Sequence, residues 1–215
     1  MAHHRHHPGG CSGGDHDDSH DHEHDGPDLG IEYSLYCKID LENLQCLNEE
    51  TEGSGKLVFK PWNERFDADK YVESDADEEL LFNIPFNGNV KLKGIIVMGG
   101  EGGSHPSKIR IFKNRPQMTF DDSQAAADQE FELHPDSQGT LEYPVKVVKF
   151  SSVYHLSLHF PKNFGSETTK ILYIGLKGEF TEARRQEIML CSYELAPNPA
   201  DHKTEAFQPL SRSVQ

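Results

Sequence analysis

The sequence predicts an all-β protein: an antiparallel, jelly-roll-like β-sandwich lying between a disordered N-terminal tail and a disordered C-terminal tail. Three observations carry that prediction. Residues 1–28 contain no Val, Ile, Leu, Phe, Tyr or Trp, so they cannot bury enough apolar surface to offset the entropy of ordering. From about residue 80 onward, apolar and polar side chains alternate with period two in one short segment after another. No window holds a sustained i, i+3, i+4, i+7 apolar stripe, so the strands have no helices between them and favour antiparallel pairing.

The elements follow in chain order. Asp40–Leu47 is short and amphipathic enough for a turn or two of helix. Leu80, Phe82, Ile84 and Phe86 share one face of a strand, and Val90 to Met98 form the next strand. Asn87-Gly88-Asn89 between them is a hairpin-type loop, and Pro85 implies an edge position or a bulge. Lys108–Phe112, Glu130–Leu133, Val145–Phe150, Val153–Phe160, Lys170–Leu176 and Ile188–Tyr193 complete about eight strands, with Thr181–Glu187 as another possible helical turn. Residues 29–195 thus form one domain, flanked by tails at 1–28 and 196–215; the second holds three prolines and few apolar residues.

Composition narrows the function. The chain of 215 residues has 36 acidic and 21 basic side chains, a net charge of −15. The first 28 residues hold −6 of it, so the remainder still has −9. Such a chain repels a phosphate backbone, so nucleic acid is not expected as a direct ligand. No apolar run approaches membrane-spanning length, and the N-terminus has no apolar core of a signal peptide. Four cysteines with no C-x-x-C spacing count against a thioredoxin-like redox site and a zinc ribbon. A reduced, soluble, monomeric intracellular protein is expected, in the cytoplasm and with the nucleus as a second location.

Candidate chemistry is sparse. Eight of the 13 histidines lie in the first 24 residues. His3, His4, His6 and His7, with Cys11, are donors suited to zinc, copper or nickel. Loss of Met1 would make His4 the third residue, where a free amine, two backbone nitrogens and the imidazole form a square-planar Cu(II) or Ni(II) set. The plainer reading is a low-complexity tail that takes up metal opportunistically. The run Glu73-Ser74-Asp75-Ala76-Asp77-Glu78-Glu79 lacks an EF-hand's Gly at position 6 and Glu at position 12. Ser74 and Asp77 have the spacing of a helix cap, and the carboxylates suit a basic protein partner. His155 and His159 share a strand face with Ser157, about 13 Å apart and so unable to share a metal; that face is expected to be the polar, solvated one. Cys37, Cys46 and Cys191 lie among apolar neighbours and are expected to be buried. Gly99 to Gly103 reads as a long flexible loop, without the Lys-Ser/Thr of a phosphate-binding motif. Trp62 is either an anchor on the core or a partner hot spot. No nucleophile–base pair or paired carboxylates support an enzyme, and no cofactor is expected.

Several segments together resemble the PITH domain: Leu44-Gln45-Cys46-Leu47-Asn48, Phe59-Lys60-Pro61-Trp62, the acidic run through Leu81, Ile84-Pro85-Phe86, Val90-Lys91-Leu92-Lys93, Phe164-Gly165, Thr168-Thr169-Lys170, Tyr173 to Glu179 and Asn198 to His202. The resemblance spans about Leu35 to His202 and implies a galactose-binding-like β-sandwich. It further implies association with the 26S proteasome or proteasome-associated proteins, the property linked to this domain where it follows a thioredoxin domain. That domain and its C-x-x-C are missing here, so redox chemistry is not implied. A non-enzymatic interaction module is the leading expectation, with Glu73, Asp75, Asp77, Glu78, Glu79 and Trp62 as its contact residues. Metal binding by the tail and indirect control of gene expression through partner turnover are the alternatives.

Overall fold

The computed structural model describes residues 32–182. Eight antiparallel strands form its frame: β1 (Gln45–Leu47), β2 (Val72–Glu73), β3 (Leu80–Gly99), β4 (Lys108–Lys113), β5 (Gln129–Glu132), β6 (Glu142–Pro144), β7 (Val153–Phe160) and β8 (Lys170–Glu182). A single-turn α-helix, α1 (Phe120–Ser123), is started by a Thr119/Asp122 capping box.

The strand β3 organises everything else. Its first half pairs with β1 and β7, and its second half with β6 and β8. The sheet path β2-β8-β3-β7-β4-β5 is therefore continuous through one 20-residue strand. No hairpin forms at Asn87-Gly88-Asn89; the chain continues as one bent strand, because Gly88 and Asn89 pair with Glu182 and Thr181 of β8. The irregularity expected at Pro85 is present, as the register to β7 shifts between Pro85 and Val90. A second shift, between Leu92 and Gly94, inserts Lys93 as an extra residue. It changes the inward parity from Val90 and Leu92 to Ile95 and Val97.

The main core lies between the two halves of this bent sheet. Leu80, Phe82, Ile84, Ile109, Ile111, Leu156, Leu158 and Phe160 from one half meet Ile95, Val97, Ile171, Ile174 and Leu176 from the other. Phe82 is fully buried, with the rings of Phe59 and Phe160 edge-on at 5.9 and 5.8 Å. Both outer faces are partly covered as well. Ile96, Met98 and Tyr173 pack under Tyr33 and Trp62, while Leu81, Phe112 and Met118 form a separate cluster. This is the all-β antiparallel sandwich that the alternation predicts.

Several local expectations fail for identifiable reasons. Val145–Phe150 is a turn closed by bonds from Lys149 and Phe150 N–H to the Lys146 carbonyl; Val145 and Phe150 reach the core while Val148 stays exposed. Asp40–Leu47 makes a turn and then β1, not a helix. Thr181 and Glu182 finish β8, and the rest of that expected helical turn, with Ile188–Tyr193 and Cys191, lies outside the described residues. So do both tails, His3, His4, His6, His7 and Cys11. Among the described residues, no helix is long and apolar enough to cross a membrane.

Candidate functional site

The acidic run leaves β2 and enters β3, and no helix forms within it. The Ser74 hydroxyl caps nothing; it accepts from the Thr169 N–H at 2.8 Å on the neighbouring connection. The expected cap at Ser74–Asp77 is thus replaced by a loop held from two sides.

One side is Asn48, just beyond β1, whose φ of 67° lies in the left-handed region that Asn tolerates better than most residues. From there its side-chain amide donates to Asp77 Oδ1 at 2.8 Å and to the Glu79 carbonyl at 2.7 Å. Its Oδ1 accepts from the Ala76 N–H at 3.1 Å, and its carbonyl accepts from the Asp75 N–H. The other side is Thr168-Thr169. The Thr168 hydroxyl donates to Glu73 Oε1 at 2.7 Å, and the Thr169 hydroxyl to the Glu78 carbonyl at 2.6 Å.

Glu79 connects the loop to the sheet interior. Its Oε1 lies 2.5 Å from His159 Nε2, and the His159 side chain is only 2% exposed. The face carrying His155, Ser157 and His159 is therefore buried, contrary to expectation. The segment from Asn114 to Ser123 covers it: Phe120 lies edge-on to His159, and Asn83 bonds both Ser157 and Met118. Burial lowers the His159 pKa below the ordinary value, against the opposing pull of Glu79. Burial alone lowers that of His155.

The six residues singled out as contacts do not form one patch. Trp62 lies elsewhere, stacked on Tyr33 at 5.6 Å, edge-on to Tyr173 at 6.0 Å and covered by the Arg65 guanidinium at 4.0 Å. It anchors the segment before β2 on the back of the sheet. In the loop, the carboxylates of Glu73, Asp77 and Glu79 are engaged internally, as described. Those of Asp75, which is exposed, and Glu78, which is half-buried, have no partner among the described residues.

Two features escaped the sequence reading. Asn48 stood out only as part of the Leu44–Asn48 resemblance; its anchoring role gave no signal, because its side-chain partners are 28 or more residues away. The Gly99–Gly103 stretch is not a long loop but a pinned turn: Gly100 N–H donates to the Lys170 carbonyl, Lys170 N–H to the Ser104 carbonyl, and Phe164 N–H to the Gly103 carbonyl. With Phe164, His105, Pro135 and Asp136 it lines a cavity of about 270 Å³. Of the cysteines, Cys37 is exposed, because the short 3-10 turn Ser34–Lys38 points Leu35 inward instead. Cys46 is half-buried, and burial pushes its thiol pKa well up, which makes it a poor nucleophile. No group of three or more potential metal ligands occurs among the described residues.

The family model for the PITH domain matches residues 25–197. The chain is 60% identical to a PITH domain-containing protein of Drosophila melanogaster, over 100% of both chains. It is 60% identical to PITH domain-containing protein 1 of Homo sapiens, covering 86% of this chain and 88% of that one. The corresponding Dictyostelium discoideum protein is 44% identical over 92% of this chain and 96% of its own. Among solved structures, a CBM32 domain from a family 31 glycoside hydrolase of Clostridium perfringens aligns with TM-score 0.44 and 13% identity, covering 70% of this chain and 98% of that chain.

Proposed function

The chain belongs to the PITH domain family, and from that membership we propose that it is a non-enzymatic adaptor that docks on the 26S proteasome or a closely associated complex through its acidic loop. The observation that carries this reading is the division of labour within the loop. Glu73, Asp77 and Glu79 are used to hold the backbone in place, which leaves Asp75 and Glu78 presented on a pre-organised loop. A loop ordered before binding loses little entropy on docking, and free carboxylates steer association with a basic surface. The histidines of β7 are spent inside the sheet, and Cys46 is held protonated, so neither supplies an obvious catalytic base or nucleophile. An adaptor of this kind works in the cytoplasm and nucleus, where proteasomes are found.

The test is co-sedimentation of the full chain with purified 26S proteasome across a salt series. Binding that weakens as salt rises, and that falls at least fivefold in the Asp75→Asn/Glu78→Gln double variant, supports the proposal. Absence of binding at low salt by a folded chain rejects it; binding indifferent to the double variant rejects the loop as the contact.

A further inference from the structure

The acidic loop does not end where its sequence run ends. The Thr168-Thr169 connection that holds Glu73 and Glu78 continues back through Ser166, whose hydroxyl donates to the Gly102 carbonyl at 3.1 Å, to Phe164, whose N–H donates to the Gly103 carbonyl. Hydrogen bonds thus join the acidic loop, residues 164–169 and the Gly100–Ser104 turn into one surface. Across it, the carboxylates of Asp75, Glu78, Glu101 and Glu167 have no partner among the described residues. The bordering Lys170 is engaged over the Tyr71 ring at 3.5 Å, and Lys162 lines a separate cleft with Lys108 and Glu130.

The Gly100–Gly103 turn and Phe164 of this acidic surface line a cavity of about 270 Å³, and Glu101 is among its lining residues. Phe164 forms part of its wall and is 46% exposed. The buried His105 ring, 6.1 Å from Phe164, forms another part, with Nδ1 bonded to the Pro106 carbonyl at 2.7 Å. The rim is glycine-rich, so no side chain from Gly100, Gly102 or Gly103 obstructs the opening. The N–H groups of Glu101, Gly102 and Gly103 make no hydrogen bond among the described residues, which leaves them available to a carbonyl arriving from outside. The Asp136 carboxylate is already satisfied by the N–H groups of Gln138, Gly139 and Leu141, so it does not impose a charged occupant.

We infer that this cavity is a socket for one apolar side chain of a partner's basic peptide segment. The anchor packs on Phe164, its main-chain carbonyl takes the free turn amides, and flanking Lys or Arg residues meet Glu101, Glu167, Glu78 and Asp75. The cavity holds one large aliphatic or aromatic side chain, and the charge around it selects the residues on either side of that anchor. The inference rests on the proposal that the acidic face docks a basic partner, and adds the specificity that charge alone lacks.

The experiment uses the full chain and fluorescein-labelled heptapeptides with two lysines or arginines on each side of a central Leu, Met, Phe, Ser or Asp, measured by fluorescence anisotropy. Apolar centres bind about tenfold more tightly than Ser, the gain expected for burying one such side chain. Phe164→Ala removes that preference while circular dichroism shows the fold retained. Glu101→Lys weakens every basic peptide whatever its centre, which separates charge from anchor. Binding that follows peptide charge alone, with Phe164→Ala silent, overturns the socket and leaves the acidic docking face standing. No binding of any basic peptide by the folded chain overturns both.

Discussion

Replacing Asn48 tests how the acidic loop is held. In Asn48→Gly the left-handed backbone at φ 67° remains free of strain, but the side-chain bonds to Asp77, Glu79 and Ala76 disappear. Three such bonds, partly exposed, are worth about 0.5–1.5 kcal/mol each, and water replaces some of them, so a loss of about 1.5–3 kcal/mol is expected. Asn48→Ala loses the same bonds and adds about 1 kcal/mol for a Cβ in the left-handed region. For a chain of this size each kcal/mol lowers Tm by about 2–4 °C. Urea unfolding followed by tryptophan fluorescence gives both free energies, and Trp62, the only tryptophan, reports from outside the perturbed loop. The order wild type, then Gly, then Ala is required. Variants within 0.5 kcal/mol of wild type, or an alanine variant more stable than the glycine one, would refute the account of the loop.

Other expected outcomes follow from the same geometry. His105, His155 and His159 all have pKa values lowered by burial, so the unfolded chain binds their protons more readily than the folded one. Stability is therefore full above the unfolded value of about 6.5 and falls as pH drops below it, by at most about 1.4 kcal/mol per pH unit per histidine; urea midpoints from pH 7.5 to 5.0 measure the slope, and a flat profile contradicts the assignment. Gly178→Ala drives a Cβ into the Lys91 carbonyl of the neighbouring strand, so loss of folding or more than about 2 kcal/mol is expected in thermal melts. Phe82→Ala empties the centre of the Phe59–Phe82–Phe160 cluster and costs about 3–5 kcal/mol by the same measurement.

The sequence was most legible where one face of a strand was the whole story. β7 spans Val153–Phe160 as the alternation predicts, and β4 differs from its predicted end by a single residue. Parity showed that His155, Ser157 and His159 share a face, but parity cannot say what lies over that face. The segment from Asn114 to Ser123 covers it, through contacts that alternation does not encode. The Asn-Gly-Asn stretch had hairpin chemistry, yet pairing with β8, more than 90 residues later, carried the chain through as a bent strand. The acidic run was conspicuous as a charge pattern; its architecture was not, because Asn48, Thr168, Thr169 and His159 are remote in sequence and ordinary in type. The cavity beside Phe164 needed the fold for the same reason, since its walls come from three separate connections.

Zero-length carbodiimide crosslinking of the full chain to purified 26S proteasome, read by mass spectrometry, tests the docking claim most directly. It joins carboxylates only to amines in direct contact. Crosslinks from Asp75 or Glu78 to lysines of a proteasome subunit, lost at high salt, are the expected result. Crosslinks that arise only from remote carboxylates, such as Glu130 and Glu132 on β5, would contradict it.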